Sequence, residues 1–255
     1  MIEPDTPGPA LAGRKALVTG GASGIGAAVA RELAARGAHV TVADVSADGA
    51  RAVADELDGE AWVVDLADTA ALDDLTLDVD VLVNNAGIQH VRPIEDFAPD
   101  MFRTIHSIML VAPFLLIRAA LPHMYDAGWG RVINVSSVHG LVASPYKSAY
   151  VSAKHGLEGL SKVTALEGGA KGVTSVCVNP GYVRTPLVEK QIADQAAAHG
   201  IGADEVLARV LLKEQAVKRL VEPAEVASLV GWLTGPGGAM VSGASWTIDG
   251  GWSAK

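Results

Sequence analysis

Tyr150 and Lys154 stand four residues apart in the segment SAYVSAK, a spacing that puts both side chains on one face of a helix. A phenol titrates near about 10 in water, too high for a proton donor and acceptor at neutral pH, but a neighbouring ammonium favours the phenolate. Lys154 is therefore expected to tune Tyr150 for proton transfer. Ser137, at the end of the run RVINVSS, can hold a reacting oxygen opposite the phenol. A second couple, Tyr146 and Lys147, lies just upstream; no lysine follows Tyr146 four residues on, so Tyr146 reads as cleft lining or surface.

Such a couple needs a redox partner, and the glycine-rich stretch TGGASGIG, Thr19 to Gly26, can hold one. Gly20, Gly24 and Gly26 allow a tight turn and close approach to a pyrophosphate, while free amides at a helix starting near Ser23 favour its negative charge. The spacing is G-x-x-x-G-x-G rather than G-x-G-x-x-G, and a turn without ligand is the alternative. Asp44, about 20 residues on at the end of the next strand, can accept hydrogen bonds from the adenosine ribose and repel a 2′-phosphate. Neither Val45 nor Ser46 is basic, so NAD is expected over NADP; capping of the following helix is the other reading of Asp44. An oxidised nicotinamide next to Tyr150 would add a second positive charge in favour of phenolate.

The elements that must position these residues are short β-branched runs alternating with helical patterns. Strands are expected at 15–20, 39–44, 61–65, 79–85, 130–137, 173–179 and 245–249. The fold class is α/β: a Rossmann-like, doubly wound parallel sheet of about seven strands with helices on both faces, a single domain over 13–255 after a flexible lead-in, 1–12. With 20 basic against 29 acidic residues, the overall field disfavours nucleic acid. The apolar run 108–117 is about half the length needed to cross a bilayer and contains Pro113, which argues for a buried helix. The lone Cys177 cannot form an internal disulfide, which fits a reducing, cytoplasmic setting, and no residue cluster has metal-ligand spacing.

TGGASGIG (19–26), NNAG (84–87), SS (136–137), YVSAK (150–154) and NPGYVRTP (179–186), in this order, resemble the short-chain dehydrogenase/reductase family over essentially the whole chain after the lead-in. The resemblance implies hydride transfer between NAD(P) and an alcohol or carbonyl carbon, a catalytic set of Ser137, Tyr150 and Lys154, and a tetramer in most members. It implies a cofactor cleft in which Ser23, Ile25, Gly87 and Val183 join Gly20, Gly24, Gly26 and Asp44. Asn85 would support the cofactor side of the sheet, Asp65 approach the adenine and Thr185 contact the nicotinamide amide.

NNAGIQHVRPIEDF, HGLVAS, KSAYVSAKHGLEGL, RTPLVEKQI and DGGWSAK resemble more narrowly the bacterial branch of that family that oxidises (R)-3-hydroxybutyrate. There a small carboxylate is held by residues matching Gln89, His139, Lys147 and Gln191, with a tryptophan matching Trp252 closing over it. An acidic protein that binds a carboxylate needs local donors, and these residues can supply charge-assisted hydrogen bonds. Otherwise, Lys147 and Gln191 are solvated surface groups, His139 a loop residue and Trp252 a packing residue. The segment 187–215 reads as two short helices broken by HGIG, either closing over substrate with Gln191 or forming a rigid hairpin.

One position departs from the family pattern. Counting back from LPHM at 121–124, Met109 stands where an asparagine usually seats a water linking the lysine to solvent. A thioether cannot donate, so the relay is expected to be weakened unless the main-chain carbonyl, Ser107 or His106 substitutes. Three readings stand: oxidation of (R)-3-hydroxybutyrate to acetoacetate, oxidation of another hydroxy acid or a polyol, and an NAD(H)-binding module without turnover.

Overall fold

The computed structural model describes residues 10–254 apart from 187, 190, 191, 193–201 and 208–210. Gln191, most of the lead-in and the HGIG break thus lie largely or wholly outside the described residues.

The chain runs β1 (Lys15–Thr19), α1 (Gly24–Ala35), β2 (His39–Asp44), α2 (Ala47–Glu56), β3 (Glu60–Val63) and β4 (Val81–Asn84). It continues through α3 (Pro99–His106), α4 (Ala112–Asp126), β5 (Gly130–Val135), α5 (Ser148–Gly168), β6 (Val173–Pro180), α6 (Pro223–Thr234) and β7 (Ser245–Ile248). All seven strands are parallel, in the order β3-β2-β1-β4-β5-β6-β7. Alternate residues feed opposite faces. Ala16 and Val18 of β1 join a core with Val29 and Leu33 of α1, Val53 of α2 and Val230 of α6, whereas Leu17 joins Leu115 and Leu116 of α4 on the other face.

A π-helical turn, Ser107–Val111, makes α3 and α4 one continuous run. By length and composition Pro99–Asp126 could cross a membrane, yet half of its most apolar window is buried within the fold, as expected of a core helix. Two strands end two residues earlier than the sequence pattern suggests. β5 stops at Val135 because the Ser137 side chain accepts from the His139 amide and turns the chain into a 3-10 segment; β3 stops at Val63, just before Asp65 accepts from the Ala67 amide.

Strand order reverses between β1 and β4, so their carboxyl ends flank the crevice in which such sheets bind ligands.

Candidate active site

The β1–α1 turn is braced from β4. The Asn85 side-chain amide donates to the carbonyls of Thr19 (2.9 Å) and Gly20 (3.1 Å), and the Thr19 hydroxyl accepts from the amides of Asn85 (3.0 Å) and Ala86 (3.1 Å). Gly20 has φ +63°, and a Cβ there would lie 2.9 Å from Ala86 Cα; a Cβ on Gly26 would overlap the Gly20 carbonyl. Ser23 precedes α1 in extended conformation without capping it through its side chain, which leaves first-turn amides for another acceptor.

Asp44 accepts from the Ala22 amide (3.1 Å) and the Ser46 amide (2.9 Å), tying the end of β2 to the glycine turn. The α2 cap is Ser46, through the Gly49 amide, so the capping alternative for Asp44 falls away. Gly20, Ser23, Gly24, Ile25, Asp44, Asn85, Gly87 and Thr185 line one cleft of about 910 Å³ with Met109, Tyr150 and Lys154. Asp65 lines the adjoining recess with Asp44. A cleft and adjoining recess lined by a glycine turn, a helix start and two acids fit a dinucleotide.

α5 places Tyr150 and Lys154 as the spacing implied. Lys154 is 4% exposed, its amine donates to the Val135 carbonyl at 2.6 Å, and it lies 5.8 Å from the Tyr150 ring centroid. Burial lowers its pKa to about 8. Tyr150 differs from the expectation: burial pushes its phenol above the ordinary range, opposed by a hydrogen bond from Ser137. Burial thus sets the direction for the phenol, while the Lys154 amine makes its short contact with the Val135 carbonyl. Ser137 also differs in detail, since its hydroxyl already accepts from the His139 amide (3.1 Å) besides engaging Tyr150.

Beyond Tyr150 opens a second cavity of about 610 Å³, part of it open to solvent, lined by Gln89, Ser137, His139, Lys147, Tyr182, Val183 and Trp252. Lys147 is no solvated surface group. Burial lowers its pKa to about 8, and its amine donates to the Tyr182 hydroxyl at 3.4 Å. His139 meets Ser144 Oγ at 2.9 Å rather than bonding only to backbone; burial, then Lys147 and His155, depress its pKa to about 3, so the ring is neutral. Trp252 packs edge-on to His139 (5.4 Å) and tilted against Tyr182 (5.5 Å). Tyr182 was missed as a site residue although NPGYVRTP contains it; its role shows only once β6 brings it beneath Lys147. Tyr146 is 59% exposed and lines neither cavity.

Met109 is 1% exposed in the π-helical turn, packed among Phe97, Ile105, Ala149 and Ala153, and in reach of Gly87. The helix is distorted here, but His106 is engaged by the Phe102 carbonyl (2.9 Å) and Ser152 Oγ (3.0 Å). Met109→Asn sets an amide in this apolar cluster and is expected to lower stability by about 1–3 kcal/mol in thermal unfolding. Where a water relay limits turnover, the same variant raises kcat; an unchanged kcat rejects a limiting relay.

A family model described as short chain dehydrogenase matches residues 14–196, and the chain belongs to that family. It is an oxidoreductase of the nicotinamide-dinucleotide-dependent kind. The D-beta-hydroxybutyrate dehydrogenase of Rhizobium meliloti is 44% identical over 95% of this chain and 99% of its own, and that of Cupriavidus necator 43% identical over 96% and 100%. Among solved structures, a protein of Beutenbergia cavernae assigned as an NAD(P)-dependent gluconate 5-dehydrogenase, with bound NADP, is 33% identical with a TM-score of 0.85, over 97% of this chain and 100% of its own.

Proposed function

We propose that the protein oxidises (R)-3-hydroxybutyrate to acetoacetate with NAD, reversibly. The observation that carries this reading is that Tyr150 lines both the glycine-turn cleft and a small cavity, and that this cavity also holds Ser137 and the half-buried amine of Lys147. The similarity to two D-beta-hydroxybutyrate dehydrogenases supports the same substrate.

NAD would be held by the β1–α1 turn, Asp44, Asp65, Asn85, Gly87, Val183 and Thr185, and supplies the hydride acceptor when bound. Tyr150 Oη takes the substrate hydroxyl proton, and Ser137 Oγ steadies the oxygen as it becomes a carbonyl. Lys154 keeps a positive charge near the phenol and passes the proton onward. Lys147 grips the carboxylate, neutral His139 and Gln89 add hydrogen bonds, and Trp252 covers the small alkyl chain. Gln191, which lies outside the described residues, would join them. The expected tetramer belongs to this reading, supported by Phe114 (48% exposed) and Leu166 (84% exposed) on the outer surfaces of α4 and α5.

Mixing the protein with NAD and (R)-3-hydroxybutyrate, while following absorbance of the reduced nicotinamide, tests the assignment. Reduction with this acid supports it. Reduction only with gluconates, other hydroxy acids or polyols replaces the substrate, and cofactor binding without reduction by any alcohol removes the catalytic reading.

Preference for NAD rests on Asp44, with exposed Val45 beside it. Asp44→Ser combined with Val45→Arg is expected to raise the NADP-to-NAD ratio of kcat/KM by about 10- to 100-fold, since a repulsive carboxylate gives way to a guanidinium. Loss of the Asp44 bond to Ala22 should weaken both cofactors alike, so the ratio is the quantity to measure.

A further inference from the structure

Glu158 lies one turn beyond Lys154 on α5, 5% exposed, in the floor behind the catalytic wall. Both carboxylate oxygens accept hydrogen bonds: Oε1 from Asn179 Nδ2 at 2.5 Å and Oε2 from Ser245 Oγ at 2.6 Å. The same Asn179 Nδ2 donates to the Ser137 carbonyl at 2.9 Å. One buried carboxylate therefore ties α5, β6 and β7 to the turn that carries Ser137. We propose that Glu158 is a positioning residue of the proton-transfer couple, its buried charge holding the Lys154 amine cationic while Asn179 transmits its position to the main chain of Ser137. This rests on the reading of Tyr150 and Lys154 as that couple.

The groups around Lys154 leave Glu158 as its counter-charge. From β5 comes the Val135 carbonyl, from α5 the uncharged Tyr150 phenol, and from β6 the Cys177 thiol. Desolvation lowers the lysine, and Cys177 and Glu158 oppose it. Burial raises the Cys177 thiol far above its ordinary range, so it stays protonated and carries no charge at working pH. Glu158 is one helical turn from that amine on α5, and both its oxygens act as acceptors. It lines neither the cofactor cleft nor the Lys147 cavity, so its removal should reach the site through Lys154 and the Ser137 turn.

Glu158→Gln keeps the shape and can still accept from Asn179 and donate to Ser245. The primary readout is the titration midpoint of the Lys154 amine in ligand-free protein, followed by NMR with isotope-labelled lysine and assigned with Lys154→Met. The midpoint is expected to fall by about one pH unit, with the alkaline limb of kcat moving by the same amount. Glu158→Asp, which keeps the charge, should hold the midpoint near that of the wild type. If the glutamine variant does not fold, Glu158→Leu, apolar and of similar volume, should show the same fall. An unmoved midpoint in the folded Gln or Leu variant overturns the role of Glu158 and leaves the couple standing. A Lys154→Met enzyme with undiminished kcat overturns the couple, and this inference with it.

Discussion

Tyr150→Phe is expected to lower kcat for alcohol oxidation by about a thousandfold while leaving dinucleotide affinity within about twofold of the wild type. The substitution removes one oxygen and keeps the ring that packs edge-on to His139 at 6.0 Å, so the walls of both cavities persist. What disappears is the acceptor for the substrate proton and the partner of Ser137. Calorimetric titration with the cofactor, next to steady-state kinetics, separates this outcome from a folding defect, which would lower both.

Lys147→Ala should raise KM for a short 3-hydroxy acid about 10- to 100-fold, the cost of one charge-assisted hydrogen bond. A neutral secondary alcohol of similar size should lose nothing, since it offers Lys147 no anion. The wild type should carry its own pH signature. The Lys147 amine titrates at about 8 in the free protein, so KM for the acid should climb as pH rises above that value and the cation is lost. A bound carboxylate favours the charged amine, moving its titration upward in the complex. A KM that stays flat through this window, or a variant that binds the acid as well as before, removes Lys147 from the carboxylate site.

Local spacing made much of this arrangement legible. Tyr150, Lys154 and the glycine turn act through residues a few positions apart on one helix or loop, and such geometry follows from helical period and backbone freedom. Lys147, His139 and Trp252 needed the family resemblance to be grouped, because α5, the turn after β5 and the C-terminal segment meet only in three dimensions. Tyr182 and Glu158 escaped for the same reason. Nothing adjacent in sequence shows that Tyr182 reaches Lys147 or that Glu158 meets Asn179 and Ser245. Protonation was the least legible property: proximity of an ammonium suggests an acidic phenol, but burial governs Tyr150, and the Lys154 amine is turned to the carbonyl of Val135.

Burial raises the phenol, and the charge of an oxidised cofactor would act in the opposite direction. Ultraviolet difference titration of wild type against Tyr150→Phe, with and without NAD, measures it. A phenolate signal absent from the variant is expected, with a midpoint above the ordinary tyrosine range in free protein that falls below it when NAD is bound. A midpoint that stays above that range with NAD bound would contradict the assignment of Tyr150 as the group that accepts the proton.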